Sequence, residues 1–179
     1  AKGAAAMKFN VGRLVLQPVS ATAKNGSMIA KQVKVKAGES AALETNIRKG
    51  LPEGARVGLI VGPIRVRLDS KKNNLEIRMH GQKLGVLAPK ANDVVRLAVV
   101  RENENPKRFR WLVQSGGKAI TGRAELEQDV GAELSVGLLY WGPKNAPAKP
   151  VWVRDLAVGT LRELPEFKPS KLVSIPAQK

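Results

Sequence analysis

The feature that most constrains this chain is an alternation of apolar and polar side chains with a period of two residues. From 64 to 68 every second residue is branched and apolar, and Arg65 and Arg67 stand between them. Successive side chains of a β-strand point to opposite faces, so the pattern predicts strands that are buried on one face only. The same alternation occurs over residues 32–36, 75–80, 108–114 and 134–141.

Two further segments, 57–61 and 94–100, are apolar on both faces and predict central strands. Turn residues such as Asn25-Gly26 and Ser115-Gly116-Gly117 separate the segments at short spacing. About ten to twelve short strands with such turns are typical of an all-β sandwich or barrel. Strands are also predicted at 13–17, at 151–158 and, because its apolar residues alternate, at 41–49.

We divide the chain into a flexible N-terminal arm (1–8), a β-sandwich domain (9–162) and a Pro-rich extended C-terminal tail (163–179). Three prolines of the tail are expected to block regular strand pairing, because proline has no amide hydrogen to donate. The apolar residues of the tail are expected to dock on the same domain or on a neighbouring copy. They are Phe167, Leu172, Val173 and Ile175.

The chain is strongly basic, with a formal net charge of +16. Such a field attracts anionic partners, although a need for solubility would produce the same excess. The chain has no cysteine, which excludes disulfides, thiol catalysis and zinc ribbons. No apolar run approaches the roughly 18 residues of a membrane span. The start at Ala1, without a methionine, suits a mature end left by signal cleavage as well as a boundary of another origin. We expect an exported or cell-surface protein.

The segment from Asn74 to Leu161 resembles the concanavalin A-like lectin/glucanase superfamily, in particular its laminin-G-like modules. The resemblance rests on a strand, turn and short strand at 75–87, a long central strand at 94–101, a hairpin at 109–118 and a closing strand at 151–158. It implies an antiparallel two-sheet jelly-roll sandwich, and a binding role more often than a catalytic one. The acidic residue that such modules often carry in the hairpin turn is absent here, so the resemblance does not imply a calcium-assisted sugar site.

Glu125, Glu127 and Asp129 are the strongest candidates for catalytic carboxylates. At a spacing of two residues they are expected to share one face of a strand, and paired carboxylates serve as nucleophile and general acid in glycoside hydrolysis. However, the segment contains no aromatic residue to hold a sugar, and the nearby Arg123 and Lys118 suit an ordinary solvated face. We therefore predict that the protein is not an enzyme.

No metal and no cofactor is predicted. His80 is the only histidine, so one chain cannot form a multi-histidine metal site. The aspartates are scattered, and no local group of residues supplies the six to eight or so oxygens of a calcium site. No Gly-rich phosphate loop lies between a strand and a helix.

Pairs of basic residues at a spacing of two are the main candidates for a binding surface. Alternate residues of a strand lie about 6.6–6.8 Å apart on one face, which suits an extended polyanion. Ordinary solvation and protection of sheet edges would produce the same pattern. Trp111 and Tyr140 fall among the apolar positions and are predicted to lie in the core, whereas two other tryptophans are candidate stacking platforms. The candidate binding residues are Lys34, Lys36, Arg65, Arg67, Arg108, Arg110, Trp141 and Trp152.

Three functions of different classes fit these observations. The first is a non-catalytic binding module that recognises glycans or other anionic polymers through a basic sheet face, with nucleic acid as a less favoured partner. The alternative is a structural subunit of a cell-surface or particle assembly, a homo-oligomer or larger, which uses loops and tails for contacts between subunits. The third, a glycosidase, depends on the three carboxylates alone.

Overall fold

A computed structural model describes residues 5–10, 13–18, 27–47, 56–69, 74–88, 94–141, 151–159 and 172–176. For 5–10, 13–18 and 151–159 the description covers the backbone and its pairing. These residues form fourteen strands and no helix. In chain order the strands are β1 (Ala5–Asn10), β2 (Arg13–Pro18), β3 (Ser27–Lys34), β4 (Ser40–Ile47), β5 (Arg56–Val61), β6 (Ile64–Asp69), β7 (Asn74–Met79), β8 (Gln82–Leu87), β9 (Val94–Arg101), β10 (Arg108–Ser115), β11 (Lys118–Leu126), β12 (Glu133–Trp141), β13 (Val151–Gly159) and β14 (Leu172–Ile175).

The strands form two sheets. The eight-stranded sheet has the order β1-β2-β13-β4-β9-β10-β11-β14, and the six-stranded sheet has the order β3-β12-β5-β6-β7-β8. Every pairing is antiparallel except that of β11 with β14, which is parallel. The predicted all-β, two-sheet jelly-roll sandwich is confirmed. The predicted central strands lie inside their sheets, with β5 third in the smaller sheet and β9 fifth in the larger.

The core lies between the sheets and consists of the apolar positions that the alternation predicted. In β6, Ile64 and Val66 are buried, whereas Arg65 between them is exposed. Trp111 and Tyr140 are 3 % and 2 % exposed, so their predicted place in the core is confirmed. Each large apolar side chain that is fully buried stabilises the fold by about 1.5–3 kcal/mol, which makes the alternation the main determinant of the two sheets.

Two tight hairpins fix the register of strands that carry candidate residues. Gly116 and Gly117 join β10 to β11 with φ of 58° and 73°. His80 and Gly81 join β7 to β8 with φ of 45° and 85°. Positive φ at both central residues belongs to the hairpin turn whose twist matches that of the flanking strands. The second hairpin places the only histidine of the chain at the rim of the six-stranded sheet.

At both ends of the chain, the structure differs from the prediction. Residues 5–8 of the predicted flexible arm belong to β1, which pairs with β2. In the predicted tail, residues 172–175 form β14, so the expectation that prolines prevent regular pairing is wrong for this segment. The predicted docking of apolar tail residues holds for Ile175, which is 2 % exposed, and for Val173, which packs against the core. Phe167 and the remainder of the predicted tail lie outside the described residues.

Candidate functional site

Two of the three predicted basic pairs lie on opposite faces of the sandwich. Arg65 and Arg67 lie on the outer face of the six-stranded sheet, because the residues beside them in β6 face the core. Arg108 and Arg110 lie on the outer face of the eight-stranded sheet for the same reason. The two faces are therefore described separately.

On the outer face of the six-stranded sheet, three basic side chains form one row across β6, β7 and β8. Arg65 is directly opposite Arg78, and Arg78 is directly opposite Lys83. Directly opposite residues have Cβ atoms about 4.5–5.5 Å apart, and like charges at that spacing destabilise a sheet. Arg65 and Lys83 are exposed, and neither has a carboxylate partner within the described part of the chain. We call these three residues the basic row.

One carboxylate, Glu76, lies beside the basic row and is held by two arginines. Its Oε1 accepts a hydrogen bond from Nη2 of Arg78 at 2.9 Å, and its Oε2 accepts one from Nη2 of Arg67. The hydrogen bond from Arg78 is the main cause that lowers the pKa of Glu76 to about 2; partial burial opposes it, and Arg67 lowers the pKa further. Glu76 is therefore ionised at neutral pH, and it contacts neither Arg65 nor Lys83.

Acidification is expected to destabilise the protein as the pH falls from 4.5 towards about 2, because that is the interval over which Glu76 is protonated in the unfolded chain but ionised in the fold. The stabilisation is fully present above the unfolded pKa and is lost through the folded pKa. Glu102, whose pKa is also lowered, acts in the same direction. Urea unfolding at several pH values in this interval measures the effect. Glu76→Gln should reduce the pH dependence, and an unchanged dependence in that variant would contradict the assignment.

Trp141, at the end of β12, lies on the same outer face as the basic row. Its six-membered ring passes over Gly58, where a Cβ would stand 3.0 Å from Cζ3 and 3.3 Å from Cη2. Gly58 is directly opposite Arg67 in β6. The missing side chain at position 58 thus lets the indole lie close to the sheet. The partly exposed ring forms an apolar surface beside the position of Arg67.

On the outer face of the eight-stranded sheet, Arg110 and Arg123 are also directly opposite each other. Here a carboxylate lies between them. Nε and Nη2 of Arg123 donate hydrogen bonds to Glu102 at 2.6 Å and 2.7 Å, and Nε of Arg110 is 3.8 Å from Oε1 of Glu102. The hydrogen bonds from Arg123 are the main cause that lowers the pKa of Glu102. We call this arrangement the Glu102 bridge.

The neighbouring Arg108 is compensated as well. Its Nε donates to Oε2 of Glu125 at 2.8 Å, and Nδ2 of Asn105 donates to Oε1 of the same carboxylate at 2.9 Å. The hydrogen bond from Arg108 is the main cause that lowers the pKa of Glu125. The two candidate arginines of the eight-stranded sheet therefore belong to an internal network of ion pairs, which leaves less of their charge for a ligand.

Three further candidates stand apart from both groups. Lys34 is exposed at the end of the edge strand β3, directly opposite Glu133. Lys36 is exposed in the turn that follows, where its backbone nitrogen donates to Oε2 of Glu39. Trp152 belongs to β13, and its side chain lies outside what the structure describes.

The three candidate catalytic carboxylates do not share one strand face. β11 ends at Leu126, so Glu127 and Asp129 lie beyond the strand, and the expectation from their spacing is wrong. Glu125 is held by the arginine of β10. Asp129 accepts a hydrogen bond from Nη2 of the buried Arg101 at 2.7 Å. Two of these carboxylates thus serve in ion pairs on different parts of the surface.

The described residues contain no group of three or more His, Asp or Glu side chains placed to hold a metal ion. No helix in the part of the chain that the structure covers is long and apolar enough to cross a membrane.

Sequence reasoning missed the residues that complete each group, namely Arg78, Lys83, Glu76 and Glu102. Arg78 and Glu76 stand at polar positions of a predicted strand, so their face could be read from the alternation. Their cross-strand partners could not, because the pairing depends on the register of separate strands. The register is also what puts the positive charges of the basic row directly opposite one another.

Neither a protein-family model nor a curated protein sequence matches the chain. Solved structures do resemble it. A GH131 β-glucanase catalytic domain from Podospora anserina is 13% identical, with a TM-score of 0.54 over 82% of this chain and 70% of that domain. Lectin I-B4 from Griffonia simplicifolia is 10% identical, with a TM-score of 0.52 over 88% of this chain and 92% of the lectin.

A family 7 alginate lyase, A1-II′, is 9% identical, with a TM-score of 0.52 over 87% of this chain and 83% of the lyase. Glucanase, lectin and lyase thus share one sandwich architecture with this chain. At such low identities the likeness shows the fold, and one fold serves many functions. The narrower resemblance to laminin-G-like modules stays a prediction.

Proposed function

We propose that this protein, whose fold is that of the concanavalin A-like lectins and glucanases, is a non-catalytic binding module for glycans or other anionic polymers. The observation that carries the proposal is the outer face of the six-stranded sheet. There the partly exposed ring of Trp141 lies over Gly58, which is directly opposite Arg67, and Arg65 is the next outward residue of β6. An aromatic surface beside cations suits a polymer that offers both an apolar face and negative charge.

A polysaccharide fits this face better than a nucleic acid. Proteins that bind single-stranded nucleic acids stack successive bases on several aromatic side chains. Trp141 is the one aromatic side chain on this outer face within the described residues. A single ring can hold one sugar unit while neighbouring cations hold the charged groups of the chain.

The absence of catalysis is part of the proposal. Glu125 and Asp129 are each held in an ion pair with an arginine, so neither pairs with the other across a substrate site. A location outside the cell or at its surface is also proposed, on the sequence alone. Hydrolysis of a bound polysaccharide by the purified protein would contradict the non-catalytic assignment.

An array of neutral and acidic glycans, probed at about 50 and 200 mM salt, tests the proposal, since contacts with a charged polymer weaken steeply over this range. Arg65→Glu should reduce binding to acidic glycans strongly. The control is Lys118→Glu, which changes the charge equally at an exposed position of the β10–β11 hairpin. Trp141→Ala should reduce binding where Trp141→Phe largely retains it. Equal losses from the Arg65 and Lys118 variants would leave only a diffuse effect of net charge.

The alternative function, a structural subunit, depends on loops and tails that reach neighbouring copies. Residues 172–175 instead pair with β11 of their own chain, and Ile175 lies in its core. This observation favours the binding module. A stable oligomer in light scattering, combined with no binding on the array, would favour the assembly instead.

A further inference from the structure

Within the described strands, basic residues oppose each other directly across neighbouring strands at two places, and these differ in one respect. Arg110 and Arg123 have the Glu102 bridge between them. No carboxylate of the described residues contacts both Arg65 and Arg78, because Glu76 bonds to Arg78 and Arg67, and Lys83 adds a third positive charge in the same row. The first site shows how this fold accommodates opposed cations, and the second lacks the anion that would complete it.

Resting on the proposed function, we propose that the basic row of Arg65, Arg78 and Lys83 is a subsite for an oxyanion substituent, a carboxylate or sulfate, of an acidic polysaccharide. The substituent occupies the position that Glu102 has between Arg110 and Arg123. Recognition involves hydrogen bonds and charge, without a covalent step.

The donors of the basic row suit such a group. Each guanidinium carries five N–H donors and the lysine ammonium carries three. Arg78 is already oriented, because its Nη1 donates to the carbonyl oxygen of Gly81 at 2.6 Å and its Nη2 donates to Glu76 at 2.9 Å. The exposed Arg65 and Lys83 stand on either side of it. Because the central cation is already held in place, fewer side chains have to lose conformational freedom when a ligand binds.

The sheet tolerates the opposed charges at a cost in stability, since directly opposite like charges are destabilising. A bound oxyanion relieves this repulsion and stabilises the folded state by mass action. Lys83→Glu would place a carboxylate directly opposite Arg78, on the strand next to the opposed arginines. This variant is therefore expected to melt at a higher temperature than the wild type at low salt and to lose its response to added anion.

His80 offers a local reporter of the site. Desolvation lowers the pKa of His80, and the positive charge of Arg65 lowers it further. It is the only histidine, so its imidazole resonances belong to one residue. An anion bound at the basic row cancels the field of Arg65 and raises the pKa of His80, whereas an anion bound elsewhere on the surface does not.

The first experiment titrates His80 by NMR while sodium sulfate replaces sodium chloride at constant ionic strength. In the wild type, sulfate should raise the pKa of His80. In Arg65→Gln, that pKa should already be higher in chloride and should change little with sulfate. Lys118→Glu should respond like the wild type. The absence of a sulfate response in the wild type, or an equal response in Arg65→Gln, would overturn the subsite.

The second experiment identifies the polymer that carries the anion. It compares the binding of heparin, alginate, dextran and single-stranded DNA to the wild type, Arg65→Gln and Lys83→Glu. We expect both variants to lose about tenfold or more in affinity for the two acidic polysaccharides, as befits the loss of charged hydrogen bonds. DNA that binds more tightly than both polysaccharides, with the same dependence on Arg65, would overturn the polysaccharide assignment.

The two proposals fail in different ways. Binding of heparin, alginate and dextran that requires Trp141 but not Arg65 would overturn the anion subsite and support the binding module. A sulfate response of His80 without binding of any polymer would support the subsite and overturn the proposed function.

Discussion

Alanine at position 122 is expected to destabilise the protein by about 1–3 kcal/mol or somewhat more, although it adds a single methyl group. A Cβ there would stand 2.1 Å from Cζ2 of Trp111 and 2.4 Å from its Cε2. The indole is 3 % exposed and packed in the core, so it cannot turn away without disturbing its neighbours. Gly122 is directly opposite Trp111 in β10–β11, and its hydrogen makes room for the ring.

Gly85 provides the matched control for this prediction. A Cβ at position 85 would meet Cδ1 of Ile120 at 2.9 Å and Cη2 of Trp111 only at 3.9 Å. The end of an isoleucine side chain can rotate, so Gly85→Ala should cost clearly less than Gly122→Ala. Denaturant unfolding of both variants gives the comparison. Similar losses in the two variants would show that the indole accommodates the added methyl.

Ile175→Ala is expected to reduce the free energy of unfolding by about 2–5 kcal/mol, the usual cost of removing most of a buried isoleucine. Ile175 is 2 % exposed and belongs to the core, and it pairs with Leu126 at the end of β11. Its carbonyl oxygen also accepts a hydrogen bond from the backbone nitrogen of Glu127 at 3.0 Å. The last strand is therefore a structural part of the sandwich.

Ser174→Ala is the control, because Ser174 is exposed in the same strand and its replacement should leave stability nearly unchanged. A chain that ends at residue 171 should lose at least as much stability as Ile175→Ala, because it also loses the pairing with β11. Thermal and urea unfolding measure all three variants. A truncated chain as stable as the wild type would mean that β14 contributes nothing to the fold.

Sequence patterning predicted most of the fold because the two-residue period is local. A side chain's face in a strand follows from its neighbours, and so β6 could be divided into the buried Ile64 and Val66 and the outward Arg65 and Arg67. The same reasoning failed at β14. Proline excludes pairing only at its own position, and four of the six residues between Pro169 and Pro176 pair with β11.

The candidate site was predicted only in part. The outward arginines could be identified singly, but their partners could not. Arg108 and Arg110 have the same spacing as Arg65 and Arg67. However, Arg108 pairs with Glu125 of the neighbouring strand, and Arg110 lies close to Glu102 beyond the end of β9. In the second pair, Arg67 is bound by Glu76 while Arg65 faces another arginine. The difference lies in which strands are neighbours.

The period of two residues is enough to predict an all-β sandwich, since hydrophobic burial with that period has few other solutions. The same period predicts which side chains point away from the core. Which charges meet depends on how the strands are ordered in the folded protein. The fold placed Glu102 between one pair of opposed arginines and left Arg65, Arg78 and Lys83 without a carboxylate of the described residues between them. The face of the sheet on which a side chain lies follows from local alternation. Its ionic partner depends on strand order and register, because these bring together residues that are far apart in the chain.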